Sequence, residues 1–254
     1  MMNNATIDKL LSMKLVGMAD ELERQLLTPG MNDLPFELRV SNLVDHEITL
    51  RSHKRLQLLL KKASLPLPAA SIEDVDYRAP RGLDKAAFLS LTGLDWIRHQ
   101  HNLVLTGPTG IGKTWLACAL ANAACRAGLS CFFIRVSALT ETLTTARATA
   151  GFTQKLAHFR RFDLLVLDDW GIAPFSPHTQ HDLLELIDNR LGVRSTLITS
   201  QAPMNVWHDL FDNKTIADAV MDRVIHNSHH MQFAGESLRK GKSLSTKASR
   251  KTIK

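Results

Sequence analysis

Residues 107–114, Gly107-Pro108-Thr109-Gly110-Ile111-Gly112-Lys113-Thr114, match G-x-x-x-x-G-K-[ST] at every fixed position. The chemistry of such a run is the binding of a phosphate chain. Gly107, Gly110 and Gly112 allow a tight turn that points successive N–H groups into one concavity, where they meet phosphate oxygens at the positive end of the following helix. In such a loop Lys113 reaches the β- and γ-phosphates, and the Thr114 hydroxyl takes a place on Mg2+. Fifty-one residues after Lys113 begins Leu164-Leu165-Val166-Leu167-Asp168-Asp169, an apolar strand ending in two carboxylates. Asp168 is suited to hold Mg2+ beside the loop, and Asp169 to orient or activate an attacking water. A further strand, residues 196–201 (TLITSQ), ends in Ser200 and Gln201, either of which can reach a γ-phosphate or its water. Taken alone, the acidic strand is an ordinary strand end before the turn at Gly171. Beside a phosphate loop it describes a Mg2+–nucleoside triphosphate site.

These residues need elements that hold them, and the hydrophobic pattern supplies them. The loop follows an apolar strand (NLVLT) and opens a helix (WLACALANAACRAG). From residue 80 onward, short apolar runs alternate with helical periodicity: SCFFIRVS, DLLVLDD, HDLLELIDNRL, STLITSQ. Strands this uniformly apolar are buried on both faces, so the fold class is α/β, a P-loop NTPase with a parallel sheet flanked by helices. Residues 6–62 instead carry apolar positions at helical spacing, broken at Thr28-Pro29-Gly30 and ended by Pro66 and Pro68. The expected organisation is a small all-helical N-terminal domain (1–66), a Pro-rich linker (67–85), the nucleotide-binding core (86–238) and a basic C-terminal tail (239–254).

Of the 254 residues, 44% are hydrophobic, which excludes a wholly disordered chain. Lys and Arg outnumber Asp and Glu by 31 to 25, and the last 16 residues hold seven of the basic groups and no acid, so the remainder is close to neutral. Such a tail seeks a polyanion or maintains solubility, and nucleic acid is the first partner to consider. A second basic run, Arg51, Lys54, Arg55, Lys61 and Lys62, is either a solvated helix face or a phosphate-binding one. Cys118, Cys125 and Cys131 have neither metal-ligand nor disulfide spacing, and Cys118 and Cys125 lie on one buried helix face. Trp115, Trp170 and Trp207 are read as packing residues. Apolar runs stop short of a membrane span, and no signal segment is evident, so the expectation is a soluble, cytoplasmic protein with no membrane partner. The Asn213-Lys214 pair continues with Thr215-Ile216, not as a guanine-selecting N-K-x-D, which favours ATP over GTP.

The ordered segments GPTGIGKT, LLVLDDWG, STLITSQAPMNVWHDLF, IADAVMDRVIHNSHHMQF and GESLRK resemble the IstB family of AAA+ ATPases, helper proteins of IS21-type insertion sequences that are similar to DnaC helicase loaders. The resemblance extends to IDKLLSMKLVGMADEL and LRSHKRLQLLLKKASLP near the start. It implies an AAA+ core, ATP and Mg2+ as cofactors, homo-oligomers with ATP at subunit interfaces, largely sequence-independent binding of duplex DNA, and a transposase partner. By the same resemblance Lys113 and Thr114 are nucleotide and magnesium residues, Asp168 the metal carboxylate, and Asp169 the catalytic carboxylate where AAA+ ATPases usually carry Glu. Arg223 corresponds to an arginine finger acting on a neighbour's ATP, and Arg239 to a sensor arginine, without a full helical lid after it. Residues 138–162 are expected to form two helices where the initiator and loader clade carries an extra helix facing DNA; Lys155, His158, Arg160 and Arg161 are either phosphate contacts there or a solvated face, and Lys242 in the tail is a further candidate. Two alternatives stay open: a DnaC-type helicase loader, and an ATP-switch adaptor that hydrolyses weakly.

Overall fold

Five strands, β1 (Asn102–Thr106), β2 (Cys131–Arg135), β3 (Leu164–Trp170), β4 (Ser195–Ser200) and β5 (Ser228–Gln232), form one sheet in the order β2-β3-β4-β1-β5, and every neighbouring pair is parallel. These are the coordinates of a computed structural model, which describes residues 5–238. Parallel pairing needs a crossover between strands, and helices supply it: α6 (Lys113–Arg126), α7 (Val136–Ala148), α8 (Phe152–Arg160), α9 (Pro177–Asp188) and α10 (Lys214–Ile225). They follow α4 (Lys85–Thr92) and α5 (Asp95–Arg98), which precede β1. β1 and β4 are buried along their whole length, β1 as its apolar run requires and β4 with its Ser and Thr hydroxyls hydrogen-bonded in the interior. α6 is rich in alanine, and ten of its residues are buried. α9 and α10 start where Ser176 and Asn213 accept hydrogen bonds from first-turn N–H groups, and Pro177 occupies the first turn of α9.

Trp170 and Trp207 are fully buried with ring centres 5.6 Å apart, and Phe175 and Phe211 pack alongside. They are core residues, as are Cys118, Cys125 and Cys131, which are buried free thiols.

The chain divides into two compact units, 1–58 and 59–254, and the division falls inside α3 (Phe36–Ala63). The first unit holds α1 (Ala5–Ser12), α2 (Val16–Leu27) and most of α3. A Cβ on Gly17 would lie 2.7 Å from the Glu47 Cα, so α2 and α3 touch backbone to backbone there. Glu47 accepts from the Met18 N–H at 3.2 Å, and buried Gln25 donates to the Arg39 carbonyl at 3.0 Å.

Residues 67–85 do not behave as a linker. Ala70 and Val75 are buried, Asn122 of α6 donates to the Pro68 carbonyl at 3.0 Å, and Arg126 grips Glu73 with two hydrogen bonds, of 2.8 and 3.0 Å. The Arg126 guanidinium holds the Glu73 carboxyl down at about 2. The prolines that suggested a linker end α3 and shape a strap laid over α6. Ala63 and Leu65 are buried as well, and they fall in the second unit, which moves the division earlier than residue 66.

One buried cation braces the core. Arg190 is 1% exposed and donates to the carbonyls of Phe159, Phe162 and Ser195 and to the Thr196 hydroxyl. Burial pushes its pKa down to about 9. It joins the end of α8 to the start of β4. Replacing it by methionine leaves buried carbonyls without donors, at roughly 1–3 kcal/mol per group. We expect Arg190→Met to lose about 3 kcal/mol or more in urea unfolding followed by circular dichroism. Arg190→Lys should recover only part, because an ammonium lacks the planar fork.

Candidate nucleotide site

Parallel strands place all their C-terminal ends at one edge of the sheet, and there the loop after β1 meets the ends of β3 and β4. Gly107 has φ +148, and a Cβ on it would lie 2.5 Å from the Phe233 carbonyl oxygen, so only glycine fits. The loop passes through Pro108, Thr109, Gly110 and Ile111 into Gly112, which caps α6 in the left-handed region. Lys113 is buried at the first turn of α6, and its Nζ donates to the carbonyls of Gly107 (2.6 Å) and Pro108 (2.9 Å). Burial pushes the ammonium pKa down, while Asp169 first and Asp168 second pull it back up.

Asp168, 1% exposed, is the centre of the site. Its Oδ1 accepts from the Thr114 hydroxyl at 2.9 Å and from the Thr199 hydroxyl at 2.6 Å. Its Oδ2 has no hydrogen-bond partner among the described residues and lies 4.0 Å from Arg135 Nε. Burial raises the carboxyl pKa, against the lowering effect of the two hydroxyls. A buried carboxylate oxygen without a donor, beside a second oxygen ligand on Thr114, is a hard-oxygen set that fits Mg2+.

Asp169 sits where the register of β3 on β4 breaks, between Leu167 and Trp170. Its φ is +62, in the left-handed region that Asp and Asn tolerate better than longer side chains. Its N–H donates to the Thr199 hydroxyl oxygen at 3.1 Å. Thr199 thus holds both acidic residues, one by side chain and one by backbone. The sequence expectation names Ser200 and Gln201 and not Thr199; β4 (STLITS) carries four hydroxyl residues, and nothing in the run itself marks this one.

Those neighbours do other work. Ser200 donates to the Trp170 carbonyl (2.8 Å) and accepts from the Ala202 N–H (3.1 Å), so its hydroxyl fixes the β3–β4 edge. Gln201 accepts from the Thr109 hydroxyl at 2.6 Å and ties the end of β4 to the loop.

Arg223 is remote from this edge. It lies in the last turn of α10, and its carbonyl accepts from the Asn102 side chain at the start of β1, the end opposite the phosphate loop. Its guanidinium bonds Asp188 and the Ala219 carbonyl. Five residues of strand span roughly 13 Å, beyond the reach of an arginine tied down in this way.

Among the basic residues, Arg51 pairs with Glu47 at 2.5 Å and reaches the Lys14 carbonyl at 3.5 Å. Lys54, Arg55, Lys61 and Lys62 are exposed along α3. Lys155 and Arg160 are exposed on α8, and Arg161 lies over the Phe162 ring at 5.3 Å. The expected pair of helices in 138–162 is α7 and α8, but His158 packs among Phe132, Phe159 and Phe162. Burial first, then Arg161 and Lys155, lowers its pKa, so it is a neutral packing residue at pH 7. Arg239 and Lys242 lie outside the described residues.

Two predictions follow from Asp168 and Thr199. Because burial raises the Asp168 pKa, its charge opposes folding above that pKa and ceases to do so as pH falls into the ordinary carboxylate range. Asp168→Asn should therefore raise the melting temperature of the nucleotide-free protein at pH 7, the gain shrinking on acidification, while abolishing Mg2+-dependent stabilisation by ATP. Thr199→Val removes the clamp on both acids. Steady-state hydrolysis should fall about tenfold or more, equivalent to about 1.4 kcal/mol of barrier, with the affinity for ADP little changed and activity recovered by Thr199→Ser.

Residues 8–246 match the family described as IstB-like ATP binding protein. An insertion-sequence ATP-binding protein of Sinorhizobium fredii is 41% identical over 240 residues, which are 94% of this chain and 98% of that one. The ATP-binding protein of insertion sequence IS1162 from Pseudomonas fluorescens is 45% identical over 203 residues, covering 80% and 88%. Among solved structures, the DnaC helicase loader superposes with TM-score 0.55 at 19% identity, covering 65% of this chain and 96% of that one. AMPPCP-bound DnaA from Aquifex aeolicus gives 0.54 at 14% identity, covering 74% and 57%. The loop, the acidic strand and the parallel sheet agree with these relatives: the chain belongs to the IstB-like ATP-binding proteins and is a P-loop ATPase of AAA+ fold.

Proposed function

We propose that this ATPase assembles on duplex DNA with ATP at its subunit interfaces and presents target DNA to a transposase. The observation that carries the reading is the position of Arg223. It sits at the sheet end opposite its own loop, so it can complete a phosphate site only on a second copy. Relatives named for insertion sequences support the transposition setting.

In the reaction, water adds to the γ-phosphorus as the bond to the β–γ bridging oxygen breaks, giving ADP and phosphate. Lys113 and the loop N–H groups hold the phosphate oxygens, and Asp169 accepts a hydrogen bond from the water and orients it. Asp168 and Thr114 would hold Mg2+, which when bound neutralises charge on the β- and γ-phosphates. Arg223 of the neighbouring subunit stabilises the charge that develops on the γ-phosphoryl group. To reach it, Arg223 must leave Asp188, so assembly exchanges an internal ion pair for an intersubunit one. DNA meets phosphate-seeking residues on α3 (Lys54, Arg55, Lys61, Lys62), on α8 (Lys155, Arg160) and in the tail (Lys242), with little reading of bases. No helix among the described residues is long and apolar enough to cross a membrane, which suits action on DNA in the cytoplasm.

Size-exclusion chromatography with light scattering tests the reading. Assembly above the monomer is expected with duplex DNA and a non-hydrolysable ATP analogue together. Arg223→Ala should lose assembly-dependent hydrolysis by about 10³-fold, as other trans-acting arginines do, while still binding ATP. A wild-type monomer under every condition overturns it.

A further inference from the structure

Arg81 lies in the segment whose composition suggested a linker, yet it is 3% exposed and pressed against the phosphate loop. A Cβ on Gly112 would stand 2.8 Å from its Nη1, so the guanidinium occupies the space a side chain at the cap of α6 would need. Among the described residues its hydrogen bonds go to main-chain carbonyls, Nη2 to Asp76 at 3.0 Å and Nη1 to Ile111 at 3.5 Å, and its Nε has no partner there. Its backbone is tied on both sides, the Arg81 N–H donating to the Ala79 carbonyl at 2.8 Å and its carbonyl accepting from the Ala234 N–H at 3.1 Å, while the Leu238 N–H holds the same segment to the loop at the Gly110 carbonyl (3.0 Å).

The electrostatics of this position are unfavourable as they stand. A buried cation, only partly offset by Asp76 and Tyr77, faces the start of α6, where the helix dipole and the first-turn N–H groups are also positive, and Lys113 adds a third positive group one residue on. A bound anion resolves all three. The sheet order says which part of the anion. Asp168, Asp169 and Thr199 lie on the β3–β4 side of β1, which is the side of the γ-phosphate chemistry. Arg81 and residues 233–238 meet the loop from the β5 side: the Phe233 N–H, just after β5, donates to the Thr106 carbonyl at 2.7 Å, and the Ala234 N–H donates to the Arg81 carbonyl. A triphosphate threaded through the loop therefore has its γ end toward β3 and its α end toward Arg81.

We propose that Arg81 is a nucleotide-binding residue that contacts the α-phosphate of ATP, supplying a second cation at the opposite end of the chain from Lys113. This rests on ATP binding at the loop and adds a residue to it. An α-phosphate contact is shared by ATP and ADP, so its loss should weaken both equally and appear in Kd and KM.

The test is titration of wild type, Arg81→Met and Arg81→Lys with ADP and with a non-hydrolysable ATP analogue, alongside nucleotide-free melting curves. Loss of a charge-assisted hydrogen bond predicts that Arg81→Met weakens both ligands by about tenfold or more, with Arg81→Lys intermediate for both. A loss confined to the ATP analogue overturns the α-phosphate assignment. Unchanged affinities with a lowered melting temperature make Arg81 a structural strut and also overturn it. If Arg81→Met fails to fold, Arg81→Lys decides: wild-type affinity for ADP refutes the contact. Failure of the wild type to bind either ligand would instead sink the nucleotide site itself.

Discussion

The site depends on one carboxylate oxygen, Asp168 Oδ1, shared by two threonine hydroxyls from different elements. Thr114 reaches it from α6 and Thr199 from β4, so a single acceptor fixes the loop helix, the acidic strand and its neighbour at one point. Burying a carboxylate costs several kcal/mol, and each hydrogen bond to a charged group returns roughly 1.5–3. The balance stays unfavourable, because the Asp168 pKa is raised in spite of both hydroxyls. The shortfall sits on Oδ2, the oxygen without a donor. Lys113 shows the mirror effect, an ammonium pushed toward neutrality by burial and held charged by the two aspartates. The loop is thus built around charges that its own interior only partly compensates, and a Mg2+–phosphate ligand is the natural complement to both signs.

The strand order converts that local chemistry into an arrangement for the whole protein. β1 lies between β4 and β5, so the loop after it is approached from two sides by unrelated segments. The acids come from one side, and the strap of 76–82 with 233–238 from the other. Parallel pairing also means that whatever ends a crossover helix before a strand, as Arg223 does before β5, lies at the far end of the sheet. An arginine there is useless to its own nucleotide, and the proposed trans site follows from topology more than from any single contact.

What the sequence made legible was local. The phosphate loop is a contiguous pattern whose strand and helix adjoin it, and the acidic strand is a run of apolar residues that cannot be a surface loop. The parallel sheet could be read from the apolar runs of β1, β2 and β3, whereas β5 (SHHMQ) carries no such run. Thr199 was not legible, since its partner lies 31 residues earlier and only the pairing of β3 with β4 brings them together. Arg81 was hidden by its surroundings: proline and charge in residues 67–85 resemble a linker, and burial of such a segment depends on what it lies against. Ser200 misled because a hydroxyl at a strand end serves a backbone carbonyl as readily as a ligand, and His158 because a basic neighbourhood in sequence became an aromatic one in space.

The pairing of Asp168 with Asp169, where the resemblance to AAA+ ATPases implies a longer glutamate second, has a backbone explanation. In a regular strand consecutive side chains face opposite ways, so two adjacent residues cannot both serve one site. Here the register breaks after Leu167, and Asp169 turns into the left-handed region. Such a conformation costs of order 1–3 kcal/mol for a residue other than glycine and persists only when its surroundings enforce it. Thr199 enforces it by accepting the Asp169 N–H with the same hydroxyl that it donates to Asp168. Aspartate is among the side chains least penalised at positive φ, and the turned backbone carries its carboxylate close enough to Lys113 to outweigh Asp168 in holding that ammonium charged. The length of the acid and the geometry of the strand are thus one constraint: a short carboxylate suits the positive φ that Thr199 holds.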